Sequence, residues 1–233
     1  MKAKVDKTEL CQHWRTEFES ERNIEDKVID ERKPLLSESV KPLQLEEVAT
    51  EQREFSVSSA GPNMLDVNTI KKLNAQFLAK FFNLWLFLGY IPQCFRESRT
   101  KLIPKKRDAK EPKDFRPKSV QSVLVRLFHK ILARRLIGKL HLNQRQKGFC
   151  PLDGCAHNLY LLDSLICSAR DQKRPIAVLL IDFKNAFGSV AHKAIFRACL
   201  RVGVPALLRE YIRECYTNAS TQLLGEIVGI RRG

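Results

Sequence analysis

Asp182 is the residue in this chain best placed to do chemistry. It ends an apolar run, Ile176-Ala177-Val178-Leu179-Leu180-Ile181, and is followed by Phe183-Lys184-Asn185-Ala186-Phe187. A run of this length without alternation predicts a buried central strand. A carboxylate at the tip of such a strand is fixed by the backbone while its oxygens stay open to solvent and metal. Oxygens in that position can hold Mg²⁺, which neutralises charge during phosphoryl transfer. One aspartate is not a complete site, because Mg²⁺ takes near-octahedral oxygen ligation. On the residue pattern alone, an aspartate that caps the turn after a strand fits the same positions.

The second chemical feature is charge. The 233 residues carry 41 Lys plus Arg against 26 acids, a formal net charge of +15. The excess is concentrated: residues 96–140 hold fifteen Lys/Arg and four acids, a net +11. A stretch this basic favours a polyanionic partner, nucleic acid first and an acidic membrane surface or protein second. The seven cysteines are an odd number, scattered, and behind a polar start without a signal peptide, which predicts a reducing intracellular compartment. Cys150, Cys155 and His157 lack the paired spacing of a zinc site. Phe81-Phe82-Asn83-Leu84-Trp85-Leu86-Phe87-Leu88 is too short to span a bilayer, so no membrane partner is expected.

The elements that must position these groups can be read from periodicity and punctuation. Residues 1–57 are of mixed charge and read as a partly flexible N-terminal extension, with helices around residues 10–18 and 43–50 and a linker through Pro34 and Pro42. Ser58-Ser59-Ala60-Gly61-Pro62-Asn63 is a turn. Asn68 then opens a helix with Ile70, Leu73, Phe77, Phe81 and Leu84 on its apolar face, stopped by Gly89 and Pro92, and Trp85 is expected in the core. Residues 98–104 read as a short strand and residues 105–118, with Pro112 and Pro117, as a loop. A basic amphipathic helix follows over residues 119–140. Further helices are predicted over residues 156–169, 191–201 and 205–217, the first with Leu159, Leu162 and Ile166 on one face. Residues 221–228 read as one strand.

Several blocks taken together resemble a known family. Leu180-Ile181-Asp182-Phe183-Lys184-Asn185-Ala186-Phe187 resembles the first catalytic motif of reverse transcriptases. The likeness is above all to non-LTR retrotransposons that insert site-specifically into ribosomal RNA genes, and more distantly to group II intron proteins. Gly61-Pro62-Asn63, residues 95–106, Phe115-Arg116-Pro117 with the helix behind it, and residues 142–158 resemble the upstream blocks of that family in order. Gly229-Ile230-Arg231-Arg232-Gly233 resembles the opening of the glycine-containing motif that contacts the template and the incoming base pair. The resemblance covers about residues 58–233.

It implies an α+β right-hand polymerase fold, incomplete, with helix-rich fingers over residues 58–175. The first part of a palm with an antiparallel sheet would occupy residues 176–233. Asp182 would ligate both catalytic Mg²⁺ ions, with the Phe183 carbonyl helping to hold the nucleotide-side ion. Phe187 would lie under the sugar and reject a 2′-hydroxyl, so that dNTPs are preferred. Lys105 and Arg116 would face the triphosphate or template, and the basic helix 119–139 would run along the template backbone. The partners implied are an RNA template, a DNA primer and dNTP, with no obligate protein partner indicated and a nuclear location for a complete retroelement protein.

The chain departs from the usual pattern at Asn63, Lys118, Gly188 and Arg232. The family's second catalytic motif, Tyr/Phe-x-Asp-Asp, does not occur in these residues, so the chain is expected not to polymerise DNA unaided. Three functional readings stay open: a reverse transcriptase fragment, a nucleic-acid-binding derivative without catalysis, and a decayed retroelement remnant.

Overall fold

A computed structural model describes residues 6–21, 40–138, 140, 143–150, 152–183 and 185–232. The Pro34 part of the expected linker, and Lys184 and Gly233 of the two quoted motifs, lie outside them. The elements run in chain order as α1 (Lys7–Glu19), α2 (Leu45–Arg53), α3 (Val67–Lys72), α4 (Ala75–Leu88), α5 (Gln93–Arg96), β1 (Ser98–Pro104), β2 (Phe115–Gln121), α6 (Val123–Ile137), α7 (Gly154–Asp171), α8 (His192–Arg201), α9 (Ala206–Thr217), β3 (Ser220–Leu223) and β4 (Glu226–Gly229). They form two compact units: residues 1–139 with 185–233, and residues 140–184.

In the first unit three helices, α1, α3 and α4, start where a polar side chain satisfies a free N–H. Asp6 accepts from Thr8 N at 2.8 Å, Asp66 from Thr69 N at 2.6 Å, and Asn74 from Gln76 N at 2.8 Å. The Asn74 cap divides what periodicity joined. One helix from Asn68 was expected; α3 ends at Lys72 and α4 restarts with a new phase. Its buried face is accordingly Leu78, Ala79, Phe82, Trp85 and Leu86, while Phe77 and Leu84 are exposed. A helix this apolar all round leaves its inward face undetermined by spacing alone. Gly89, at φ 61°, closes it in the left-handed conformation that glycine adopts without strain.

The sheet order is β2-β1-β3-β4, antiparallel between β2 and β1, parallel between β1 and β3, and antiparallel between β3 and β4. Residues 115–121, expected as loop and helix start, are strand, and the following helix begins only at Val123. Pro117 is tolerated because β2 is the edge strand, where a missing N–H need not leave a ladder partner unpaired. Residues 221–228 are a hairpin rather than one strand, turned by Leu224 and Gly225, both at positive φ. Hydroxyls, those of Thr100 and Thr221 buried, tie three strands together: Thr100 Oγ1 lies 2.6 Å from Ser119 Oγ and 2.7 Å from Thr221 Oγ1.

The main core gathers on α6. Phe128 lies 5.2 Å from Phe82, 5.7 Å from Trp85 and 5.4 Å from Tyr211, joining α4, α6 and α9 through stacked and edge-on rings. The described residues of the expected N-terminal extension enter this architecture. Leu43, Val48 and Phe55 join the main core, and Cys11 and Trp14 form a smaller one with Leu223 and Val228.

The basic side of α6 is also occupied from within. Glu51, 2% exposed, receives Arg134 and, at 2.9 Å, Lys130. Arg135 grips Glu47 with two bonds of 2.6 Å and donates to the carbonyls of Lys41 and Pro42. Three cations expected to run along a template therefore face α2. The reason is that α2 carries Glu47 and Glu51 four residues apart, on one helical face.

In the second unit, Asp153 caps α7 by accepting from Ala156 N at 3.0 Å. Leu159 and Ile166 of the expected apolar face are exposed, as are residues 176–183. The predicted buried strand is a correction: residues 176–183 are extended or irregular and pair with no strand among the described residues. A β-strand is held by ladder hydrogen bonds to a neighbour, and an apolar run without one has neither ladder nor cover.

Phe128→Ala should cost about 3–5 kcal/mol, the range for emptying a buried aromatic site. It is measured by urea unfolding, with Phe77→Ala, an exposed ring on α4, as a control that changes little.

Candidate functional site

The first unit contains a cleft of about 880 Å³. One wall is β2, with Arg116, Pro117, Ser119 and Gln121; the next is α6, with Arg126 and His129. Residues 185–188, including Phe187, form a third side, and Cys215 and Tyr216 of α9 a fourth. Ile230 and Arg232 line it beyond β4, and Trp14, Glu17 and Phe18 reach it from α1.

Each side chain is held for a local reason. Arg116 lies opposite Ile103 in the β1–β2 register and is exposed, and its side chain makes no hydrogen bond or ion pair with another described residue. Arg126 instead donates to Ser58 Oγ at 2.9 Å and to the Ser59 carbonyl at 2.5 Å, fastening the turn before Gly61 onto α6. Gly61 has no room for a side chain there: an added Cβ would lie 2.6 Å from Ser122 N and 2.7 Å from the Gln121 carbonyl. Asn63 completes the junction by donating to Ser122 Oγ at 2.9 Å. Phe187 is 72% exposed and opens a short 3₁₀ turn, Phe187–Ser189. Gly188 leaves space for the amide of Asn185, which an added Cβ would meet at 2.6 Å.

His129 and Tyr211 meet at 2.7 Å between α6 and α9. Burial pulls the imidazole down to about pKa 4 and pushes the phenol well above its ordinary value. The pair is therefore neutral near pH 7, a polar tie between α6 and α9 rather than an acid or base. His192, at the start of α8, packs edge-on against Tyr216 at 4.9 Å, and burial lowers its pKa as well.

Lys105 is not among the residues that line the cleft. Its Nζ donates to the Lys113 carbonyl at 2.8 Å, within a loop organised by Asp114. The Asp114 carboxylate accepts from the backbone of Lys110 and Glu111 and from Lys106 Nζ at 3.0 Å, which holds its pKa at about 2. Asp182 and Phe183 lie in the second unit, both exposed. No group of three or more His, Cys, Asp or Glu able to hold a metal ion occurs among the described residues. One carboxylate and one carbonyl fall short of the oxygen set that Mg²⁺ requires, so these residues by themselves do not fit a complete metal centre.

The cleft therefore joins Arg116 and Phe187, two residues the sequence had singled out far apart in the chain. It also includes residues the sequence did not single out for the site: Trp14, Glu17 and Phe18. The only local signal for these is their spacing, W-x-x-E-F, which places them on one helical face.

The profile of the family described as reverse transcriptase (RNA-dependent DNA polymerase) matches residues 103–232. The chain belongs to the reverse transcriptase family. It is 35% identical over 169 residues to the Pol polyprotein of the type-2 retrotransposable element R2DM of Drosophila melanogaster, covering 72% of this chain and 16% of that protein. Against the Pol polyprotein of the type-1 element R2 of Popillia japonica it is 33% identical over 183 residues, 78% of this chain and 26% of that protein. The corresponding protein of Nasonia vitripennis is 36% identical over 166 residues, 71% of this chain and 16% of its own length. The chain thus spans about a sixth to a quarter of these relatives. It is a non-LTR retrotransposon reverse transcriptase domain, and its helix-rich α+β architecture with a small mixed sheet matches an incomplete fingers–palm fold. Reverse transcriptases generally use Mg²⁺. No helix among the described residues is long and apolar enough to cross a membrane.

His129 supplies a pH test. Its folded pKa lies below the ordinary 6.5, so the stability it contributes is present above about pH 6.5 and is lost as pH falls toward 4. Between pH 7 and pH 5 this group should remove roughly 2 kcal/mol, seen as a lower urea midpoint. In His129→Gln that part of the pH dependence should vanish.

Proposed function

We propose that this chain supplies the fingers and the first part of the palm of an RNA-directed DNA polymerase. In the complete protein it would help add dNTPs to a DNA primer on an RNA template. The observation that carries this reading is the cleft in which Arg116, free of protein partners among the described residues, shares a cavity with the exposed ring of Phe187. Arg116 is a phosphate ligand for the triphosphate or the template. Phe187 presents a flat ring on which a deoxyribose rests and against which a 2′-hydroxyl collides.

Lys101 and Lys118 add support. They stand directly opposite each other across β1 and β2, a like-charge pair that costs stability unless an anion lies against it. Lys105, tethered to the loop that ends at Asp114, adds charge beside that strand pair. This is sequence-independent phosphate binding, suited to an enzyme whose specificity comes from base pairing.

Asp182 and the Phe183 carbonyl are proposed metal donors of the complete protein. When bound, Mg²⁺ would neutralise charge on the reacting phosphate. The remaining carboxylates would come from polypeptide outside these 233 residues. A nuclear location accords with this role.

The 233-residue chain should bind a fluorescein-labelled RNA–DNA primer–template with an affinity that falls linearly on a log–log plot against salt. Arg116→Ala should weaken binding about three- to tenfold and reduce the salt slope by about 1. Asp182→Ala should leave binding unchanged, and with Mg²⁺ and dNTPs the chain should incorporate nothing. Incorporation abolished by Asp182→Ala would sink the claim that further carboxylates are needed, and salt-insensitive binding would sink the phosphate-contact reading.

A further inference from the structure

Arg232 lines the cleft, and an unpaired guanidinium there would be an anion trap. The structure pairs it. Arg232 Nε donates to the Glu17 carbonyl at 2.6 Å, and its terminal nitrogen reaches Glu17 Oε2 at 2.6 Å. The Arg232 side chain is 9% exposed and that of Glu17 39%. Next to it, Arg231 N donates to the Phe18 carbonyl at 2.9 Å. Residues 231 and 232 thus bind two carbonyls of the last turn of α1, that of Glu17 also accepting from Ser20 Oγ. The negative end of the helix dipole lies there as well.

The helix is fixed in place independently of this pair. Cys11 and Trp14 are buried against Leu223 and Val228, with Phe18, Leu102 and Phe115 packed around them. Arg15 pairs with Glu226 on the hairpin, and Arg231 with Glu21 at 3.0 Å. An antiparallel bridge between Ala191 and Arg232 holds the backbone from the other side. Glu17, Arg232, Arg116 and Phe187 all line the same cleft.

We propose that Glu17 is a specificity-determining residue of this cleft: it neutralises and immobilises Arg232, so that the cleft's uncompensated charge is that of Arg116 and of Arg126, the latter held by Ser58 and Ser59. The inference rests on the reading of the cleft as the nucleotide site. In this arrangement the wall at residue 232 is a closed ion pair without net charge. A triphosphate is then held by Arg116, and the guanidinium of Arg232 does not draw it toward residue 232.

The test is a charge cycle on the 233-residue chain, with a fluorescent N-methylanthraniloyl-dATP as probe and energy transfer from tryptophan as readout. Glu17→Gln should tighten binding about three- to tenfold, because it exposes a partly desolvated cation. Arg232→Gln should weaken binding about threefold, because it leaves the carboxylate unopposed. The double variant Glu17→Gln/Arg232→Gln should return to within about twofold of the parent chain. A merely structural role for the pair predicts the reverse for Glu17→Gln, weaker binding together with a lower melting temperature, and that result overturns the proposal. So does an Arg232→Gln variant that binds as tightly as the parent, which also decides the matter if Glu17→Gln does not fold. Absence of binding by the parent chain overturns the nucleotide reading itself, and is distinct from a parent that binds but does not respond to the two substitutions.

Discussion

Everything in the first unit depends on how α6 is held. Its apolar side places Phe128 against Phe82, Trp85 and Tyr211, so three helices share one aromatic contact set. Its charged side is neutralised by α2, where Glu51 is buried between Lys130 and Arg134. A buried carboxylate left without those cations would bear the full desolvation penalty. Satisfying both sides fixes α6 about its axis and along its length. That in turn sets Arg126 and His129 at the edge of the cleft and seats the turn at Gly61 against residues 121 and 122.

The cleft follows from this frame and from the sheet. β2 presents Arg116 from an edge strand, where Pro117 costs no ladder bond, and the short turn after residue 185 presents Phe187. Charge in the region divides into two kinds. Lys130, Arg134, Arg135 and Arg232 are answered by carboxylates of α1 and α2, whereas Arg116, Lys101 and Lys118 have no acid against them among the described residues. The net charge of the chain is therefore a poor guide to which cations serve a ligand. The free ones lie on the β1–β2 pair and at the cleft, not on the helix whose composition looked most basic.

The second unit behaves differently because its apolar groups are not covered. Residues 176–183 and the Leu159 and Ile166 positions of α7 are exposed, although their composition matches a core. The chain covers about a sixth to a quarter of its relatives, and the further metal ligands of Asp182 are proposed to come from the complete protein.

Local chemistry by itself determined much of this protein. The glycine stop at Gly89, the helices α8 and α9, the burial of Trp85, and the family carried by several blocks in order all follow from short-range pattern, whereas the helix start read at Asn68 lies at Asp66 and Asn74. These depend on backbone hydrogen bonds and spacing within a few residues, which a sequence displays directly. Only the tertiary structure decided which face of α4 turns inward, that residues 115–121 are an edge strand, and that the cations of α6 are spent on α2. It alone joined Arg116 to Phe187 and brought Glu17 to Arg232 across 215 positions of chain. Such pairings depend on which surfaces meet once the core closes, and no local spacing encodes a partner that distant.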